Sequence, residues 1–192
     1  MVDTLRVPLS RFIPLGQLHN LPGRQLYFLK KQASQEDDMN YLGTATNSGT
    51  AKLDITISPS AGALYYIVQF TVTGKSGGFI PELMFNDHAT GDCRTTNTDV
   101  DTGTPSTSTG DRGTRLTGAT GSLDDVGYAY VADFDVADIG ERHVWGFTSR
   151  TNNEFAFQGT NAETAALTKI SIQDVAETAT FDGEIHVWEV TS

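Results

Sequence analysis

Residues 63–73, ALYYIVQFTVT, constrain this chain more than any other stretch. Leu64, Tyr66, Val68, Phe70 and Val72 alternate with Tyr65, Ile67, Gln69, Thr71 and Thr73, and both sets are largely apolar or β-branched. Successive side chains of an extended segment point to opposite sides, so a run of this kind needs cover on both faces. It predicts a central strand of a packed sheet. Gly74-Lys75-Ser76-Gly77-Gly78 interrupts the alternation with residues that tolerate positive φ, and Phe79 to Asn86 resumes it with Phe79, Leu83 and Phe85 on one side. That pattern predicts two antiparallel strands joined by a loop.

The rest of the chain repeats the signal in shorter pieces. Residues 24–31 read as a short strand, and residues 40–46 and 50–58 as two more, with Leu53, Ile55 and Ile57 alternating against Lys52, Asp54 and Thr56. Further on, Val126, Tyr128, Tyr130, Ala132, Phe134 and Val136 share one face of a strand over 125–137, and Trp145 and Phe147 share a face over 141–150. Residues 154–158, 166–174 and 183–190 supply the remainder. Many short strands punctuated by turn residues, with no helical period, predict an all-β fold: an antiparallel β-sandwich, jelly-roll-like in topology. Between Asp87 and Ser122 the chain is dominated by Thr, Gly, Asp and Ser, with few apolar residues beyond Val100, Leu116 and Ala119, and reads as a long mobile loop.

Residues 1–31 stand apart from the sandwich domain, 32–192. Pro8, Pro14 and Pro22, with Gly16 and Gly23 between them, forbid a regular helix and imply an extended N-terminal arm leading into a first strand. Leu5, Val7, Leu9, Phe12, Ile13, Leu15, Leu18 and Leu21 are too apolar for a free tail. Together with Arg11 they are expected to bind a surface, either of the same domain or of a neighbouring subunit. Charge divides in the same way: the arm carries +4 and the remainder −15. An acidic body argues against nucleic acid as a partner. No apolar run reaches about 18 residues, and the first residues lack the apolar core of a signal peptide, so a membrane partner is not expected. A single cysteine, Cys93, leaves no intrachain disulfide and is expected to be an inert thiol.

Chemical constellations are sparse. No G-x-S-x-G, H-E-x-x-H, phosphate loop or dinucleotide fingerprint occurs. His19, His88, His143 and His186 are far apart in sequence, although a sandwich can bring the strands of His143 and His186 together. Asp124, Asp125, Asp133 and Asp135 suit glycoside hydrolysis only if they face a cleft. Asn97, Asp99, Asp101 and Gly103, flanked by Asp87 and Asp92, offer hard oxygen ligands, but Thr102 and Ser108 stand where a calcium-binding loop needs Gly and Glu. The expectation is therefore a protein that binds and does not catalyse, without cofactor or metal. Trp145, Trp188, Tyr128 and Tyr130, with Asp87 and Asn97, suit a sugar-stacking site, whereas the alternative places both tryptophans in the core.

Four stretches carry a resemblance. YYIVQFTVTGKSGG, then PELMFND with Asn86-Asp87 closing an apolar strand, then GYAYVADFD and HVWGFTSR, and finally LTKISIQDVAETATFDGEIHVWEV follow an order similar to that of tailed-phage virion β-sandwich proteins of the head-decoration or tail-accessory type. The resemblance spans roughly residues 42–190 and leaves out the arm. Where that family usually has a Tyr shortly after Asn-Asp, this chain has His88 to Cys93. It implies a virion location, with the major capsid protein or other virion proteins as partners and a homo-oligomer, favoured as a trimer to match capsid threefold sites. Its alternative is a tail- or fibre-associated module that binds a surface carbohydrate.

Overall fold

A computed structural model describes residues 38–76, 78–88, 91–118, 124–132, 141–150, 153–162 and 165–191. The expected strand at 24–31, the arm residues Leu5, Val7, Leu9, Arg11, Phe12, Ile13, Leu15, Leu18 and Leu21, and His19, Ala119, Asp133, Phe134, Asp135 and Val136 lie outside the described residues. Twelve strands follow in order: β1 (Asp38–Thr50), β2 (Lys52–Thr56), β3 (Ala63–Thr73), β4 (Pro81–Phe85), β5 (Cys93–Asp99), β6 (Pro105–Asp111), β7 (Thr114–Arg115), β8 (Asp125–Ala132), β9 (Arg142–Arg150), β10 (Asn153–Asn161), β11 (Lys169–Asp174) and β12 (Phe181–Thr191).

These strands build two antiparallel sheets. One runs β1-β12-β3-β8-β9-β10-β5-β6 and the other β2-β11-β4-β7. The consecutive pairs β1/β2, β3/β4, β7/β8 and β11/β12 each split between the sheets, so the chain repeatedly crosses from layer to layer. The layers β1-β12-β3-β8 and β2-β11-β4-β7 together have the strand order of a jelly roll. Two further antiparallel pairs, β9-β10 and β5-β6, continue the first sheet past β8, with β7 of the smaller sheet packed against β10 and β5. The expected all-β sandwich is what the chain forms.

The core follows the alternation. Leu53 and Ile55 of β2, Tyr66, Val68, Phe70 and Val72 of β3, Leu83 and Phe85 of β4, Ile170 and Ile172 of β11, and Ile185 and Val187 of β12 are buried in one cluster. Each contributes about 1.5–3 kcal/mol relative to exposure. Asp54 and Thr56, between the buried residues of β2, face solvent as expected.

Two sequence expectations are corrected. The stretches 63–73 and 79–86 do not form a hairpin. Both ladder edges of β3 are taken by β12 and β8, and β4 pairs with β11 and β7 in the opposite sheet. β4 is buried at every position from Pro81 to Phe85, a burden that only a strand covered on both sides carries. The loop between them is a crossover, pinned by Lys75. The second correction concerns the 87–122 stretch, which is not one long loop but supplies β5, β6 and β7. Thr is β-branched and suits a pleated surface, and β5 draws its apolar cover from Phe155 and Phe157 of β10 rather than from its own residues.

Cys93 opens β5 fully buried, its Sγ–H donating to the Arg112 carbonyl at 3.1 Å. Burial first, then the neighbouring charges of Asp92, Glu82 and Asp111, push the thiol from 9.0 up to about 12. Roughly 10³-fold less thiolate is then present at pH 8 than for an unperturbed thiol. Alkylation of the native protein should accordingly be slower than of the urea-unfolded chain by at least that factor, and equal rates would show Cys93 to be accessible.

The Asn86-Asp87 pair singled out by the resemblance is a structural clamp. Both residues adopt left-handed backbone, φ 50° and 55°. This turns the chain so that Asn86 Oδ1 accepts from the Thr168 and Lys169 amides at 2.9 and 3.1 Å, while Nδ2 donates to the Ala166 carbonyl at 2.9 Å. Asn is the side chain that best combines αL backbone with such local bonding. Asp87 then pairs with Lys169 at 2.9 Å and with Lys52. Lys169 first and Lys52 second hold its carboxyl below the ordinary carboxylate range. A depressed folded-state pKa adds stability that is present above the ordinary value and lost as pH falls through it. Glu82 has the opposite sign: burial raises its pKa, outweighing the bonds from Gln173 and Arg112, so its ionisation opposes folding as pH rises. Asp87→Asn should flatten the acid limb of the stability curve below about pH 4 by no more than about 1 kcal/mol, since the pair is exposed and screened. Denaturant titrations at pH 3 and pH 6 measure this, and an unchanged acid limb refutes it.

Candidate binding face

Outward-pointing residues of the large sheet form cross-strand rows. In one, Tyr41, Trp188, Ile67, Tyr130, Trp145, Gln158 and Thr96 lie opposite one another from β1 to β5. The next row runs Thr44, His186, Gln69, Tyr128, Phe147, Ala156 and Thr98. Neither row holds a Lys, Arg, Asp or Glu, on a chain whose net charge is −11.

The aromatic rings pack on one another. Tyr41 and Trp188 have centroids 5.4 Å apart, and Trp188 stacks on His186 at 5.9 Å. Tyr130 stacks on Trp145 at 5.7 Å with planes 19° apart, Tyr128 meets Tyr130 edge-on at 5.6 Å, and Tyr128 lies 5.9 Å from Phe147. His186 is fixed by the Tyr41 hydroxyl at Nδ1 (3.2 Å) and by Glu184 at Nε2 (3.1 Å). Burial, with a smaller contribution from Tyr128, raises the Tyr130 phenol above its ordinary value. Yet much of the patch faces solvent, with Tyr41 53 %, Phe147 49 % and Trp145 42 % exposed.

Bulk is inverted at the centre of β8 and β9, between the inward Val131 and Val144 at one end and Thr148 at the other. Their inward positions include Gly127, Ala129 and Gly146, while Val126, Tyr128, Tyr130, Trp145 and Phe147 point outward. A Cβ on Gly127 would lie 2.7 Å from Phe70 Cζ, and one on Gly146 would lie 2.6 Å from Phe157 Cζ. Two inward phenylalanines from β3 and β10 therefore fill the space below these glycines. The outward aromatics owe nothing to the core, which separates this face from an ordinary solvated sheet surface.

Tyr128, Tyr130, Trp145 and Trp188, proposed from sequence as a group, are brought together here. Their alternative placement in the core is overturned, since Trp145 is exposed and Trp188 half-buried. Asp87 and Asn97 do not join them: Asp87 sits beyond β4 in the other sheet, and Asn97 points inward and is buried. Tyr41, Phe147 and His186 belong to the face but were not assigned to it from sequence.

Other candidates disperse. His143 and His186 lie on β9 and β12, separated by β3 and β8. Asp125 is buried between Lys75 and Arg150. Asp99 caps its own turn by accepting from the Thr102 amide at 3.0 Å, so the acids around Asn97 do not converge. Among the described residues no group of three or more His, Cys, Asp and Glu side chains is placed to hold a metal ion. Comparison with protein-family models, with curated proteins and with solved structures finds no match.

Proposed function

We propose that this chain is a virion structural protein, a capsid decoration protein that works by protein–protein binding and uses the aromatic face of the large sheet as its contact surface. One observation carries the reading: the strands that put glycine and alanine toward the core put tyrosine, tryptophan and phenylalanine toward solvent. Large, charge-free aromatic patches on a soluble acidic protein mark interaction surfaces, and Tyr and Trp are the side chains enriched where partners dock. The resemblance to virion β-sandwich proteins supplies the kind of partner, a capsid or other virion protein. Leu5, Val7, Leu9, Arg11, Phe12, Ile13, Leu15, Leu18 and Leu21 of the arm form the second contact, and a trimer suits a capsid threefold site.

The linear row of Tyr41, Trp188, Tyr130 and Trp145 also favours a second reading, a tail-associated module that binds surface carbohydrate. Sugar stacking needs an open ring face, and here Tyr130 and Trp145, like His186 and Trp188, cover one face of each other. Ring edges and side chains interlocked in this way fit a shaped protein surface better than a flat pyranose. Purified chain added to particles lacking it should bind in many copies per particle and fail to bind a glycan panel. A few copies per particle with glycan binding would replace the first reading by the second, and binding to neither would defeat both.

A further inference from the structure

We propose that the aromatic face is covered in the free protein by the arm of the same chain, residues 5–21; the inference rests on the proposed use of that face and names what occupies it before the partner does. The arm and the face are complementary in kind. One is a stretch of apolar side chains that cannot bury one another, and the other is a sheet surface of exposed aromatics with no charge in its two central rows. Residues 5–21 carry Arg6 and Arg11 and no acid, and the row next to the aromatic ones holds Glu184 and Glu154.

Connectivity brings the two within reach. Asp38 pairs with Thr191 and lies three residues before Tyr41 on the strand that borders the face. From Tyr41 to Trp145 is four strand spacings, about 19 Å. The 17 residues from Leu21 to Asp38 span up to about 56 Å when extended. A tether that short also keeps the segment at an effective concentration in the millimolar range, which favours the same chain over a neighbour.

In the two aromatic rows Tyr41, Tyr128, Trp145 and Phe147 are exposed and Ile67, Tyr130 and Trp188 half-buried, which leaves apolar surface for such a segment to cover.

Both tryptophans of the chain, Trp145 and Trp188, lie on this face, so their fluorescence reports its cover. In the full chain, Phe12→Asp with Ile13→Asp should red-shift the emission and raise acrylamide quenching about twofold, as expected when indoles lose an apolar cover. Unchanged quenching overturns the proposal. Protection that vanishes on dilution of the unsubstituted chain also overturns it, because the cover is then a second copy's arm. A photoreactive phenylalanine analogue at position 12 gives an independent readout: cross-links to peptides containing Tyr128–Tyr130 or Trp145–Phe147 of the same chain support the docking, and cross-links confined to other regions refute it. Particle binding is scored separately, so loss of binding with intact indole protection would defeat the proposed function and leave this inference standing.

Discussion

Asp125→Ala is expected to destabilise the fold by about 3–5 kcal/mol, enough to unfold most of a marginally stable domain. Asp125 is the shared anion of a buried trio. Arg150, directly opposite it in the β8–β9 ladder, donates Nε to Oδ1 at 2.6 Å and Nη2 to Oδ2 at 3.0 Å, and Lys75 reaches Oδ2 at 2.5 Å. The side chains of Asp125 and Lys75 are fully buried and that of Arg150 nearly so. Removing the carboxylate leaves an ammonium and a guanidinium in the interior without their common partner, and the desolvation of both is then uncompensated. Lys75→Met should cost less, because it removes a charge and leaves Asp125 with its two bonds to Arg150. Burial lowers the Lys75 pKa against the pull of Asp125, so the interior already opposes the charge that the substitution removes. Chemical denaturation of the two single variants and the double variant measures the coupling. A loss below about 1 kcal/mol for Asp125→Ala would mean that the trio contributes as little as a surface pair.

The same trio explains why the crossover after β3 was illegible in the sequence. Gly74-Lys75-Ser76-Gly77-Gly78 has the composition of a hairpin loop, and nothing local distinguishes a turn that returns to the same sheet from one that crosses to the other. The difference lies in partners far along the chain: Asp125, 50 residues on, fixes Lys75, and Asp174 takes the Ile80 amide at 3.0 Å. The alternation that marks strands is local and legible for β2, β3, β9 and β12. It reports which residues share a face but not which face is inside. Trp145 and Phe147 illustrate the gap. Their period of two was plain, and only the glycines at 127 and 146, with Phe70 and Phe157 behind them, show that the small side is the buried one. A Gly opposed to a bulky residue at alternating positions was the available signal. The Thr-rich 87–122 stretch hides its strands for the complementary reason: low hydrophobicity suggests a loop, whereas β-branched Thr in a strand needs only a ladder partner, which β10 provides.

Trp145→Ser combined with Phe147→Ser is expected to reduce binding to undecorated particles by about 30- to 1000-fold, the loss of 2–4 kcal/mol typical of central aromatic contacts. Folding stability should fall by about 1–3 kcal/mol, because the contacts of Trp145 with Tyr130 and of Phe147 with Tyr128 are lost with the rings. Trp145 and Phe147 stand on the outside of β9, 42 % and 49 % exposed, while the core beneath them is closed by Phe70 and Phe157 against glycine backbone. Deleting the outer side chains opens no cavity, so the cavity penalty of a core truncation does not arise. The opposite experiment is Gly146→Ala on the same strand, which adds a methyl group 2.6 Å from Phe157 Cζ and closer still to the Tyr128 carbonyl oxygen. It should cost about 3 kcal/mol or more, because the β8 backbone at Tyr128 and Ala129 must shift and not only a ring. Binding isotherms and thermal unfolding of the three proteins separate loss of binding from loss of stability. If the serine double variant binds as the unsubstituted chain does, the aromatic face is not the contact, and attachment must then run through the arm or the edges of the sheet.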